Sequence, residues 1–113
     1  MRYDKSYAGG NAVPNKLICN YFHSLVNCFF KILPLKECEE DTLKVYLNSL
    51  KLEMVGCTEL ISDIGHDSRY LTLLSILQYF SDHPDCEISI VRREVFRAIR
   101  ICNQISQKYS TEV

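Results

Sequence analysis

The chain has 113 residues, a length that fits a single domain with one hydrophobic core. Hydrophobic residues make up 47% and charged residues 24% of it, which is a globular composition and excludes a largely disordered chain. The formal net charge of −1 argues against a protein that meets a polyanion over most of its surface, although a local basic patch is compatible with it.

Only 3 prolines and 4 glycines interrupt the sequence, and this scarcity predicts long helices rather than an all-β domain with many turns. Residues 1–14 contain a Gly-Gly pair and Pro14 and show no hydrophobic period. We therefore expect a flexible or extended N-terminal arm at 1–14, followed by a helical domain at 15–113.

The first predicted helix covers residues 15–33, with Asn15 as its N-cap and Pro34 as the residue that ends it. Apolar side chains surround most of its circumference and leave one narrow polar stripe. Such a helix is buried on several sides, either centrally in a bundle or at a subunit interface. This breadth is the basis for expecting self-association as a homodimer through the first helix. The polar stripe consists of Asn20, His23, Ser24, Asn27 and Lys31.

The second predicted helix covers residues 39–64 and has the clearest helical stripe, with Gly65 suited to its C-terminal end. The acidic residues at 37–41 lie near its start, where the helix dipole favours negative charge. Gly56, in the middle, indicates a bend or a close approach of another helix. The apolar stripe contains Leu43, Leu47, Leu50, Met54, Cys57, Ile61 and Ile64.

The third predicted helix covers residues 68–81, capped by Asp67 or Ser68, and a turn rich in breakers follows it. Its buried face should contain Tyr70, Leu73, Leu74, Leu77 and Phe80.

The fourth predicted helix covers residues 86–108, and the tail after it is expected to fray. Four helices with short connections favour an all-α fold, an up-down-up-down four-helix bundle.

The outer face of the fourth helix is the candidate functional site. At about 100° per residue, Arg93, Arg97 and Arg100 share one side, and Phe96 lies beside them. A row of guanidiniums with an apolar anchor is typical of a docking surface for a protein partner. Secondary contacts are predicted for Arg92, Gln104 and Lys108.

Two other interpretations of this face stay open. It can be a solvated face whose arginines pair with acidic residues, with Arg92 or Arg93 meeting carboxylates at the start of the second helix. It can also be a basic surface for DNA or RNA, which is the alternative function. The acidic residues in question are Glu39, Glu40 and Asp41.

Nothing in the sequence forms a convincing catalytic or metal-binding pattern. His83 and Cys86 have H-x-x-C spacing, but there is no Cys-x-x-Cys pair to complete a structural zinc site. We therefore predict no catalytic residues, no metal and no cofactor, and a protein that is not an enzyme.

The N-terminus lacks the apolar stretch of a secretory signal, and the 6 cysteines are dispersed along the chain. These features favour reduced cysteines packed in the core of a cytoplasmic protein, without a membrane-spanning segment. The combined prediction is a small cytosolic protein–protein interaction or regulatory module.

Overall fold

The computed structural model describes residues 14–60, 64 and 66–110. In this part of the chain there is no strand, and the all-α class is confirmed. The predicted arm lies outside the described residues, apart from Pro14. Among the same residues, no helix combines the length and apolar character that crossing a membrane requires. The helices are α1 (Asn15–Phe30), α2 (Ile32–Cys38), α3 (Glu40–Leu60), α4 (Ser68–Asp82) and α5 (Ile88–Ser110).

The helices form a bundle in which α1 packs against α5, and α4 packs against both α3 and α5. The two members of the first pair run antiparallel, since Cys19 on α1 meets Ser106 while Phe30 meets Phe96. The short helix α2 joins α1 to α3 and contacts α3 and α5. The up-down-up-down order of the four long helices stays a prediction.

One contiguous core runs through all five helices. At its centre Phe22 and Tyr70 meet edge to face, with ring centroids 5.8 Å apart. Fully burying an aliphatic or aromatic side chain of this size contributes about 1.5–3 kcal/mol. The largest side chains that are completely buried are Tyr70, Phe22, Phe29, Leu25, Ile32 and Met54.

Two tyrosines join helices through hydrogen bonds as well as through their rings. Tyr46 on α3 donates its hydroxyl to the carbonyl of Cys28 on α1, at 2.8 Å. Tyr70 on α4 donates to the carbonyl of Met54 on α3, at 2.7 Å. Both phenols thus keep a partner although they leave bulk water.

The prediction that Pro34 ends the first helix was wrong. The chain turns at Lys31 and resumes as α2, with Pro34 in its first turn. Proline is tolerated there because the first-turn N–H groups have no partner within the helix. At the other end, helix α1 starts at Asn15 itself, so the N-cap position belongs to Pro14 and not to Asn15.

The remaining boundaries differ from the predictions by a few residues. Helix α5 continues to Ser110, and Tyr109, expected in a frayed tail, is buried in the core. Asp67 caps α4 by accepting a hydrogen bond from the backbone N–H of Arg69 at 2.8 Å. The predicted stripe residue Ile61 and the predicted terminator Gly65 lie outside the described residues.

The cysteines are less buried than the sequence pattern indicated. All 6 carry free thiols, and only Cys102 is fully buried, whereas Cys38 is exposed. The other four are partly buried. Burial raises the pKa of the Cys102 thiol to about 12, since the thiolate would lose its hydration in the core.

Candidate functional site

Helix α5 places the predicted site residues on two neighbouring rows of its outer face. Arg92, Phe96 and Arg100 recur at every fourth residue and form the first row, and Arg93 and Arg97 form the second. The opposite face is held in the core, so these rows point away from it. Its buried residues include Val91, Val95, Ala98, Ile99, Cys102 and Ile105.

A carboxylate of the same helix pairs with both arginines of the second row and offsets one of their two charges. Glu94 accepts from Arg93 Nε at 3.2 Å and from Arg97 Nη1 at 3.0 Å. Its side chain is only 17% exposed, so it holds the two guanidiniums against the helix surface. Pairs between exposed partners contribute about 0–1 kcal/mol each, so Glu94 matters more for charge and position than for stability.

The ion pairs expected with the start of the second helix are not those observed. Arg92 lies 3.8 Å from Glu37, on α2, and Arg93 pairs with Glu94. Glu40 instead pairs with Lys36 at 3.0 Å, because α2 brings that lysine one turn before it. The solvated-face interpretation was therefore right that arginines are paired and wrong about their partners.

Phe96 forms an exposed aromatic pair with Phe30 at the C-terminal end of α1. The ring centroids are 5.8 Å apart at an interplanar angle of 84°, which is an edge-to-face contact. Phe30 is 43% exposed and Phe96 is 44% exposed, so neither ring is covered by the bundle. We call this pair the aromatic patch.

The remaining predicted residues extend the site toward the end of α5. Arg100 and Gln104 are exposed and make no polar contact within the part of the chain that the structure describes. The Lys108 ammonium lies 5.5 Å from the centroid of the Tyr109 ring. Arg100 is thus the guanidinium of the candidate site with no carboxylate beside it.

A shallow groove of about 460 Å³ separates α4 from the second arginine row. Tyr79 stands at its edge, where its ring stacks on His83 with centroids 4.3 Å apart. The groove has polar walls on both sides, which suits hydrogen bonding to an extended segment. Its lining residues are Thr72, Ser75, Ile76, Tyr79, Arg93, Glu94 and Arg97.

Groups that could carry chemistry also meet between α1 and α5. The Ser106 hydroxyl lies 2.8 Å from Nε2 of His23 and 3.1 Å from Cys19 Sγ. Ser106 is buried, and its contacts link α1 to α5. Among the described residues, no three histidine, cysteine or acidic side chains converge in a way that could hold a metal ion.

Most of the apolar surface of α1 is used within the bundle. Ile18, Phe22, Leu25 and Phe29 are buried, whereas Leu17 and Phe30 are exposed. The breadth that suggested self-association is thus largely accounted for by packing within one chain. A separate exposed apolar stripe lies on α3, at Val45, Leu52 and Val55, and the helix that carries it contains no arginine.

Sequence reasoning missed two features of the surface. The exposure of Phe30 was missed because the apolar residues of the first helix were expected to be buried on several sides. The only sign of it in the sequence is that this helix has more apolar residues than one buried face can hold. The lysines Lys36, Lys44 and Lys51 were not singled out, although the latter two are two helical turns apart.

Comparison of the chain with protein-family models, with curated proteins and with solved structures gave no match.

Proposed function

We propose that the chain is a non-enzymatic protein-binding module that docks an acidic segment of another protein on the outer face of α5. The observation that supports this most is the aromatic patch of Phe30 and Phe96, which lies in line with Arg92 and Arg100. Aromatic residues and arginines are the residue types that dominate binding energy at protein interfaces.

The patch differs from an isolated exposed hydrophobic residue, which is normal on any protein surface. Two helices contribute one phenylalanine each, and both rings stay more than two-fifths exposed while they contact each other. A partner side chain can therefore bury both rings at once. Their helices are already fixed by the core, so docking orders little of this chain.

Charge selects an acidic peptide over a nucleic acid. Glu94 already pairs with two of the four arginines and offsets one of their two charges, and Glu37 lies near a third. Nucleic-acid affinity depends on many simultaneous phosphate contacts, which such a face cannot supply. A segment with one or two carboxylates beside a large apolar residue fits Arg100 and the patch.

Peptide display tests the proposal directly. A library of random linear peptides is selected against the immobilised protein, and the enriched peptides are measured by fluorescence anisotropy. We expect a consensus with acidic residues beside an aromatic or a leucine. Affinity should fall at least about tenfold with Phe96→Ala and also with Arg100→Ala.

The matched control is Leu52→Ala, which truncates an exposed apolar side chain on α3 away from the patch. It should leave the affinity unchanged. Enriched peptides that bind the Phe96 variant equally well would contradict the proposal.

Two further measurements address the other candidate partners. Sedimentation of the protein alone tests whether a second copy of the chain occupies this face. Fluorescence anisotropy at low salt with RNA and with duplex DNA tests whether a nucleic acid does. A dimer or a nucleic-acid complex that Phe96→Ala abolishes would replace the acidic peptide as the occupant of this face.

A further inference from the structure

A cavity of about 400 Å³ lies between α2, α3, α4 and the turn that leads into α5. Its volume falls in the range of about 300–1,000 Å³ typical of small-molecule sites. It is separate from the aromatic patch, and neither Phe30 nor Phe96 lines it. The apolar part of its wall is made by core residues of the bundle, namely Ile32, Leu43, Leu47, Phe80 and Val91.

The polar part of the wall is predominantly basic. Lys36, Lys44 and Lys51 line the cavity together with His83, and Glu40 is the one carboxylate among the lining residues. This excess of positive charge is local, because the whole chain has a net charge of −1. An apolar wall with a few converging cations is suited to a ligand that is itself apolar and anionic.

Lys36 is the most constrained of these cations. Its side chain is only 8% exposed, and its ammonium donates to the Pro84 carbonyl at 2.6 Å and to Glu40 Oε2 at 3.0 Å. An ammonium has three hydrogens, so one donor has no acceptor among the described residues. The structure thus holds a buried ammonium group at the cavity, and one of its N–H groups can donate to a ligand.

The other two lysines are available for a ligand. Lys51 donates to the side-chain carbonyl of Gln78 at 2.8 Å and forms no ion pair with a carboxylate among the described residues. Lys44 is exposed and has no polar contact in the described part of the chain. Both lie on the side of α3 that carries Leu47 into the cavity wall.

We propose that this cavity binds a medium-chain fatty-acid anion, with its carboxylate at Lys36 and Lys44 and its chain against the apolar wall. The size follows from the volume. At about 30 Å³ per heavy atom, the share that a water molecule takes in the liquid, the cavity holds about a dozen heavy atoms. Decanoate is a carboxylate of that size.

Isothermal titration calorimetry with decanoate tests the charge and the apolar body separately. Decanoate should bind at one site per chain with a dissociation constant on the order of 1 mM or below. Decanol and decylammonium share the chain but not the negative charge, and should bind at least about tenfold more weakly. Acetate has the carboxylate alone and should not bind measurably. Equal binding of decylammonium would overturn the proposal.

Variants locate the site. The double substitution Lys44→Ala with Lys51→Ala removes two cations that pair with no carboxylate in the described part of the chain, and should weaken decanoate binding at least about tenfold. Lys16→Ala with Lys31→Ala removes the same charge from exposed positions outside the cavity and should have no effect. Equal losses in both double variants, or no loss in the first, would show that the cavity is not the site.

A two-dimensional NMR titration gives an independent readout that does not depend on variants. Decanoate should shift the amide signals of cavity residues such as Leu47, Phe80 and Val91. Shifts confined to the surroundings of Phe30 and Phe96 would instead assign the binding to the aromatic patch and refute the cavity.

Discussion

Replacing Tyr21 with phenylalanine should make the protein more stable. The phenol oxygen of Tyr21 is buried and has no hydrogen-bond partner among the described residues. Burial raises the pKa of Tyr21, and weak hydrogen bonding to Cys57 and Tyr70 raises it further, but neither contact is short and straight enough to count as a full hydrogen bond. A buried polar group without a partner costs about 1–3 kcal/mol, because its bonds to water are not replaced.

The expected gain in the free energy of unfolding can be estimated because phenylalanine retains the ring and loses only the hydroxyl. Phenylalanine preserves the ring, which meets Phe22 edge to face at 5.4 Å, so the aromatic contact is retained. Tyr21 as a whole is only partly buried, so the lower end of the range applies, and we expect about 1 kcal/mol. For a domain of this length that corresponds to a rise in Tm of about 4 °C.

The matched control is the same substitution at Tyr70. That hydroxyl donates to the Met54 carbonyl at 2.7 Å, so Tyr70→Phe should cost about 1 kcal/mol. Urea unfolding followed by circular dichroism measures both variants. Burial raises the pKa of both phenols, so the opposite signs should persist from about pH 5 to pH 9. If Tyr21→Phe destabilises as much as Tyr70→Phe, the Tyr21 hydroxyl has a partner and the reasoning fails.

Three further outcomes are expected. A Cβ added at Gly56 would meet nothing within 4 Å, so Gly56→Ala should stabilise α3 by about 0.5–1 kcal/mol, as urea unfolding can measure. A lower stability of this variant would indicate a close contact at Gly56. The side chain of Arg69 donates to Asp67 and lowers the pKa of that carboxyl below its ordinary value. The stabilisation by the Asp67–Arg69 pair is therefore present above about pH 4 and is lost as pH falls through the lower pKa of the folded state. Wild type and Asp67→Asn should thus converge in stability at acid pH. A stability difference that does not change with pH would exclude this pairing. Because burial raises the pKa of Cys102 to about 12, iodoacetamide at mildly alkaline pH should label exposed Cys38 well before Cys102. Mass spectrometry measures the two labelling rates, and equal rates would contradict the buried position of Cys102.

The long helices could be predicted because their hydrophobic period reports burial directly. The stripe of α3 was assigned correctly wherever the structure describes it, except that Cys57 is only partly buried. The short helix α2 could not be predicted from a local rule. Pro34 excludes a helix interior but not a first turn, and which of these applies depends on where the chain turns at Lys31.

The candidate site was predicted in part. Helical geometry sufficed to place Arg93, Arg97 and Phe96 on the outer face. The Glu94–Arg97 pair has the spacing that favours ion pairs on a helix and was available from sequence. The contact of Phe30 with Phe96 was not, because it depends on how α1 and α5 are positioned along each other.

The cavity depends even more on tertiary structure. Its polar wall depends on α2, which carries Lys36 to the Pro84 carbonyl. These residues are 48 positions apart, and no sequence period relates them.

The hydrogen bonds of Tyr46 and Tyr70 have a consequence for the uniqueness of the fold. Apolar contacts are non-directional, so they fix the position of one helix along another less sharply than a hydrogen bond does. A hydrogen bond tolerates only a few tenths of an ångström, and a shift of one residue moves a helix by about 1.5 Å. Tyr46 therefore sets the axial register of α3 against α1, and Tyr70 sets that of α4 against α3. A variant with phenylalanine at both positions should therefore stay helical while its helices lose part of their fixed register.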